Sequence, residues 1–95
     1  MTPTVIKNDT ANRFEIALPD GPAVLNYLRT GNQLRLIHTE VPESAREHGY
    51  AGQLVRYALD DARREGLRVV PICPYVRAYV TRHPEYADLV DAEST

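Results

Sequence analysis

Residues 46–70 read REHGYAGQLVRYALDDARREGLRVV, and the fold turns on this stretch. Ala51, Leu54, Val55, Ala58, Leu59 and Ala62 recur at helical spacing and form one apolar stripe. The spacing predicts a helix over 49–65, with Gly66 as its left-handed stop. LRVVPIC at 67–73 is rich in β-branched residues and predicts a strand. Just upstream, QLRLIHTEV at 33–41 predicts another strand. Simple alternation puts Leu34, Leu36 and His38 on one of its faces and Arg35, Ile37 and Thr39 on the other. Strand, helix and strand make a βαβ unit. A connection that holds such a helix implies parallel strands and a right-handed crossover.

Further upstream the periodicity is two. RFEIAL at 13–18 places Phe14, Ile16 and Leu18 on one face. PDGP at 19–22 is a turn, AVLNYLRT at 23–30 a strand, and GN at 31–32 a second turn. TVIKND at 4–9 is expected to add an edge strand. Downstream, PYVRAYVTRH begins a second helix with Pro74 in its first turn. HPEYADLV, broken by Pro84, closes the chain, and a loose tail is expected over 90–95. The expected fold is α/β in a single domain over 1–95. Its mixed sheet is antiparallel at the start and ends in one parallel pair.

Composition narrows the function classes. The chain has 95 residues, 43% hydrophobic and 25% charged, which is ordinary for a globular domain. Eleven Lys and Arg are scattered among 13 acids, for a net charge of −2, and no basic stripe suited to nucleic acid exists. No apolar run is long enough for a membrane span. MTPTVIKND carries no signal-peptide pattern, and a lone Cys73 forms no internal disulfide, so a cytoplasmic setting is expected. The three histidines and the cysteine lack metal-ligand spacing, so no metal is expected.

Gly49 and Gly52 at a helix start need a reason, since Gly costs about 0.8–1 kcal/mol relative to Ala inside a helix. The carboxyl ends of the two parallel strands and the N-terminus of helix 49–65 share one sheet edge. Ligands of open α/β sheets sit there. A helix N-terminus offers free N–H groups and partial positive charge to a phosphate. Gly49, Ala51 and Gly52 keep side chains out of its way, and Arg46 adds a charged donor. A tight strand-to-helix turn explains the same residues without a ligand. Pro71 supplies a second clue, because a strand proline belongs at an edge, a bulge or a place where strands part. If strands 33–41 and 67–73 splay there, they leave a slot for an extended ligand.

Arg46-Glu47-His48-Gly49-Tyr50-Ala51 resembles the Arg/Gln-x-x-Gly-x-Gly/Ala pyrophosphate loop of the GNAT N-acetyltransferase superfamily. HTEVP at 38–42, VVPICPYV at 69–76 and RHPEYADLV at 82–90 resemble a family of very small GNAT-like domains, over nearly the whole chain. The resemblance implies a minimal GNAT-like fold whose splayed strands form the slot for coenzyme A. It implies acetyl-CoA as ligand, with Val41, Arg46, Glu47, His48, Gly49, Tyr50, Ala51, Gly52, Tyr79 and His83 as contacts. It also implies an amine acceptor, a small molecule or a protein, with neither nucleic acid nor membrane as partner. A monomer or weak dimer is expected. Two departures stand out. Ala51 replaces the commoner second glycine, and the extra elements that build an acceptor site in larger GNAT enzymes are missing.

The chemistry falls on the same edge. Cys73 and His38 end the two parallel strands, and Cys73 precedes a helix, whose N-terminus lowers a thiol pKa. The resemblance makes them a suspected catalytic pair, with His38 as base. Glu40 is the alternative base, and Tyr79 is a candidate acid for the leaving thiolate. Transfer to the amine is direct, or it passes through acetylated Cys73. A non-catalytic acyl-CoA-binding or sensor module, or a structural interaction domain, fits the residues as well.

Overall fold

Alternation in the first half and helical spacing in the second produce two layers. The computed structural model describes residues 4–91. It runs β1 (Val5–Asn8), β2 (Arg13–Ile16), β3 (Ala23–Thr30), β4 (Gln33–Glu40), α1 (Tyr50–Glu65), β5 (Arg68–Pro71) and α2 (Pro74–Arg82). Short 3-10 segments lie at Glu43–Ala45 and Pro84–Leu89. The sheet order is β1-β2-β3-β4-β5. All neighbours are antiparallel except β4 and β5, which are parallel. The βαβ unit, the adjacency of its strands and the edge strand near the N-terminus stand as expected.

Phe14, Ile16, Leu25, Leu34 and Leu36 form the covered face of the sheet, and all are fully buried. α1 packs on them through Leu54, Val55, Ala58, Leu59 and Ala62. Each large apolar side chain so buried contributes about 1.5–3 kcal/mol. α1 ends at Gly66, in the left-handed region at φ 70°, whose N–H bonds back to Ala62 and Arg63.

Two features depart from the sequence expectation. Tyr27 pairs with Leu36 while Asn26 pairs with His38, so Ile37 is an extra residue in β4. Such a bulge re-aims every side chain beyond it. Thr39, opposite buried Leu25, lies on the covered face; His38, opposite Asn26, lies on the outer face. Simple alternation had these two reversed. The second departure is at the C-terminus, where the tail was expected to be loose from residue 90. Val90 instead bridges to Val69, and the Asp91 N–H donates to the Val69 carbonyl at 2.8 Å. The Asp91 carboxylate also accepts from Arg68 at 2.8 Å and Gln33 at 3.2 Å. Residues 92–95 lie outside the described residues. None of the described helices is long and apolar enough to cross a membrane.

Candidate functional site

The β4–α1 connection is the first half of the site. Gly49 caps α1 in the left-handed region, at φ 77° and ψ 15°. An ideal Cβ there would meet no atom within 4 Å, so the backbone angle, not crowding, calls for glycine. Glu47 is also left-handed, at φ 73°. No side chain caps α1 and no acid occupies its first turn, which leaves that end suited to an anion. Arg46 folds back through Nε to the Val41 carbonyl at 3.3 Å, with its side chain exposed.

These residues enclose a cleft of about 310 Å³, lined by Val41, Ala45, Arg46, Glu47, Gly49, Tyr50, Ala51 and Tyr75. Six of the expected coenzyme contacts thus come together: Val41, Arg46, Glu47, Gly49, Tyr50 and Ala51. The other four, His48, Gly52, Tyr79 and His83, do not line this cleft. His48 lines a neighbouring hollow of about 220 Å³ with Leu18, Pro19 and Tyr50. Gly52 serves helix packing: a Cβ there would lie 3.5 Å from Tyr75 Oη and 3.8 Å from Tyr79 Cε2. His83 stacks on Tyr79, with ring centroids 4.1 Å apart.

The second half is the parting of β4 and β5. Their ladder ends at the pair Leu36–Pro71. The N–H groups of Ile72 and Cys73 both converge on the Leu36 carbonyl, at 3.0 and 2.9 Å. β4 continues to Glu40, paired with β3 alone. The two strands part here, Pro71 is the last paired residue of β5, and β5 is also the edge strand of the sheet, the other place expected for a strand proline.

Cys73 caps α2 and is only 4% exposed. Its Sγ lies 3.7 Å from Thr39 Oγ1. Burial alone pushes the thiol pKa up. The Val76 amide, the Thr39 hydroxyl and the Tyr75 and Thr39 amides outweigh burial, and the thiol sits below its ordinary value. The sulfur makes no side-chain capping hydrogen bond to α2. The expected pairing of His38 with Cys73 fails at this point. The bulge carries His38, exposed, to the outer face and gives its place beside the thiol to Thr39. Glu40 shares the outer face, where it lines an adjoining cleft of about 400 Å³ with Arg13, Asp20, Val24 and Glu43; this cleft shares Val41 and Arg46 with the first. Tyr79 is half-buried, and burial is the main reason its phenol pKa is raised. No metal-binding group of three or more His, Cys, Asp or Glu occurs among the described residues.

Sequence reasoning missed Thr39, Ala45 and Tyr75. A signal for Thr39 was present, since Ile37 breaks the phase of Leu34 and Leu36, as a bulged residue does. Tyr75 reaches the cleft from the first turn of α2, a contact between segments that no local pattern encodes.

The family described as GCN5-related N-acetyl-transferase matches residues 13–89. Protein NATD1 of Homo sapiens is 40% identical over 63 residues, covering 65% of this chain and 56% of that protein. Protein NATD1 of Danio rerio is 35% identical over 71 residues, covering 72% of this chain and 64% of that protein. The chain thus spans somewhat over half the length of the curated relatives it matches. The NMR solution structure of a GCN5-like protein from Staphylococcus aureus has a TM-score of 0.74 at 18% identity. That match covers 96% of this chain and 90% of that one, and it shows a shared fold.

Proposed function

The chain belongs to the GCN5-related N-acetyltransferase family, and from that premise we propose that it binds acetyl-CoA and transfers the acetyl group to an amine. One observation carries the reading. The uncapped N-terminus of α1 and the unpaired edge of β4 beyond Leu36 lie together at one end of the sheet. The residues fit such a ligand. Backbone N–H groups of the Gly49 turn and the Arg46 guanidinium suit a pyrophosphate. The free edge of β4 offers main-chain groups to an amide-bearing arm.

When bound, acetyl-CoA supplies an acetyl group activated as a thioester. Main-chain N–H groups of β4 past the bulge polarise the carbonyl. Glu40 or His38, both on the outer face, takes the proton of an amine arriving from that side. Tyr79, its pKa raised, holds a proton at neutral pH for the departing thiolate. Direct transfer needs no exposed thiol, which agrees with the burial of Cys73. The lowered thiol pKa supports a second reading, transfer through Cys73, and intact mass measured without acceptor distinguishes the two. The acceptor is an amine on a small molecule or a protein. The first experiment is free-CoA release from acetyl-CoA with mixed amines. Turnover supports the enzyme; binding without turnover makes the chain an acyl-CoA-binding module.

A further inference from the structure

We infer that Thr39 is the positioning residue of Cys73: its hydroxyl, turned onto the covered face by the bulge at Ile37, holds the sulfur and donates to it once it is a thiolate. The inference rests on the acetyl-transfer reading for its use, but not for its geometry. Three observations carry it. The shift of pairing from Tyr27–Leu36 to Asn26–His38 puts Thr39, opposite Leu25, on the side of the sheet that α1 covers. Thr39 Oγ1 and Cys73 Sγ lie 3.7 Å apart, across strands that no longer pair with each other. The contact spans the splay three residues beyond Leu36, where the ladder ends, so it ties the two strands at the base of the opening.

The chemistry of the pair follows from its surroundings. A buried thiolate without donors is costly. Thr39 brings a rotatable O–H, which donates to sulfur when the sulfur is charged and accepts from S–H when it is neutral. The ionisable side chains on the flanking elements include Arg35, His38 and Glu40 on β4, Tyr50, Arg56 and Tyr57 on α1, and Tyr75, Arg77, Tyr79 and Arg82 on α2. His38 and Glu40 face away through the outer side of the sheet. Arg77 donates to the Ile72 carbonyl at 3.0 Å, which engages its guanidinium there. Among the described residues, Thr39 is the side chain that hydrogen-bonds the sulfur.

The test uses the whole protein without any acetyl donor. Cys73 is the chain's single cysteine, so labelling cysteine Cβ with carbon-13 gives one resonance whose shift follows thiol ionisation. Thr39→Val keeps the shape and removes the hydroxyl; Thr39→Ser keeps the hydroxyl. A hydrogen bond to a charged group is strong enough to move a titration midpoint by about one pH unit. The expected result is a midpoint about one unit higher in Thr39→Val and near wild type in Thr39→Ser. A change of packing alone would move both variants. An unchanged midpoint in Thr39→Val, or an equal rise in both, overturns the inference. The acetyl-transfer reading fails separately, on acetyl-CoA binding, and its failure leaves this titration intact.

Discussion

Leu36 and Pro71 form the last pair of the parallel ladder, and beyond them β4 runs on to Glu40 paired with β3 only. The expected consequence is that the pantetheine part of coenzyme A contributes to binding there. Coenzyme A should bind at least tenfold more tightly than adenosine 3′,5′-bisphosphate, a difference of about 1.4 kcal/mol. Competition calorimetry measures both. Equal affinities would leave the β4 edge with no part in recognition.

Gly49→Val tests the anion end. The left-handed angle of 77° is strained for a β-branched residue. The substitution should cost about 1–2 kcal/mol of stability and move the turn's N–H groups off their target. Acetyl-CoA affinity should fall at least tenfold while circular dichroism still reports a folded chain. Unchanged affinity would place the phosphates elsewhere.

Cys73 decides between direct transfer and relay. Incubation with acetyl-CoA and no amine should give a single acetyl adduct if the thiol is on the path, absent in Cys73→Ala. Since Cys73 is 4% exposed, direct transfer predicts no adduct and retained turnover in Cys73→Ala. An adduct that forms and is discharged by an amine would establish the relay. His38→Ala should leave Cys73 ionisation unchanged, because the bulge sets the two on opposite faces.

Alkaline pH tests a structural pair. The Tyr86 hydroxyl donates to Asp60 at 2.7 Å, and burial first, then that bond, raises its pKa from 10.0 to about 12. The unfolded chain therefore loses this proton at lower pH than the folded one. The stability it contributes is complete below about pH 10 and is lost as pH rises towards about 12. Tyr86→Phe should be less stable at neutral pH and show a shallower alkaline decline in urea titrations. An identical decline would assign the effect to other groups, such as Tyr27 bonded to Asp9.

The elements were legible where period and punctuation agreed. Gly49 and Gly66 bounded α1, and the Leu54, Val55, Ala58 stripe fixed its inward face. Pro71 marked both the free edge of β5 and the last pair of its ladder, and its lack of an N–H fits the edge position. The site was legible as a set of residues gathered at one end of the sheet, but its facing was not. A single bulged residue exchanged Thr39 for His38, and bulges depend on how two strands fit, not on either alone. Gly52 looked like part of a phosphate loop, yet what it accommodates are two tyrosines from α2. The anchoring of Val90 and Asp91 escaped for the same reason: Arg68 and Gln33 meet Asp91 only in the folded sheet.

The central claim is acetyl-CoA binding at the α1 N-terminus and the β4 edge, and a calorimetric titration with parallel melting curves tests it most directly. The account predicts saturable one-to-one binding. It also predicts added stability of about 2.7 kcal/mol at 100 times the dissociation constant. No heat of binding and no melting shift at millimolar acetyl-CoA would contradict it.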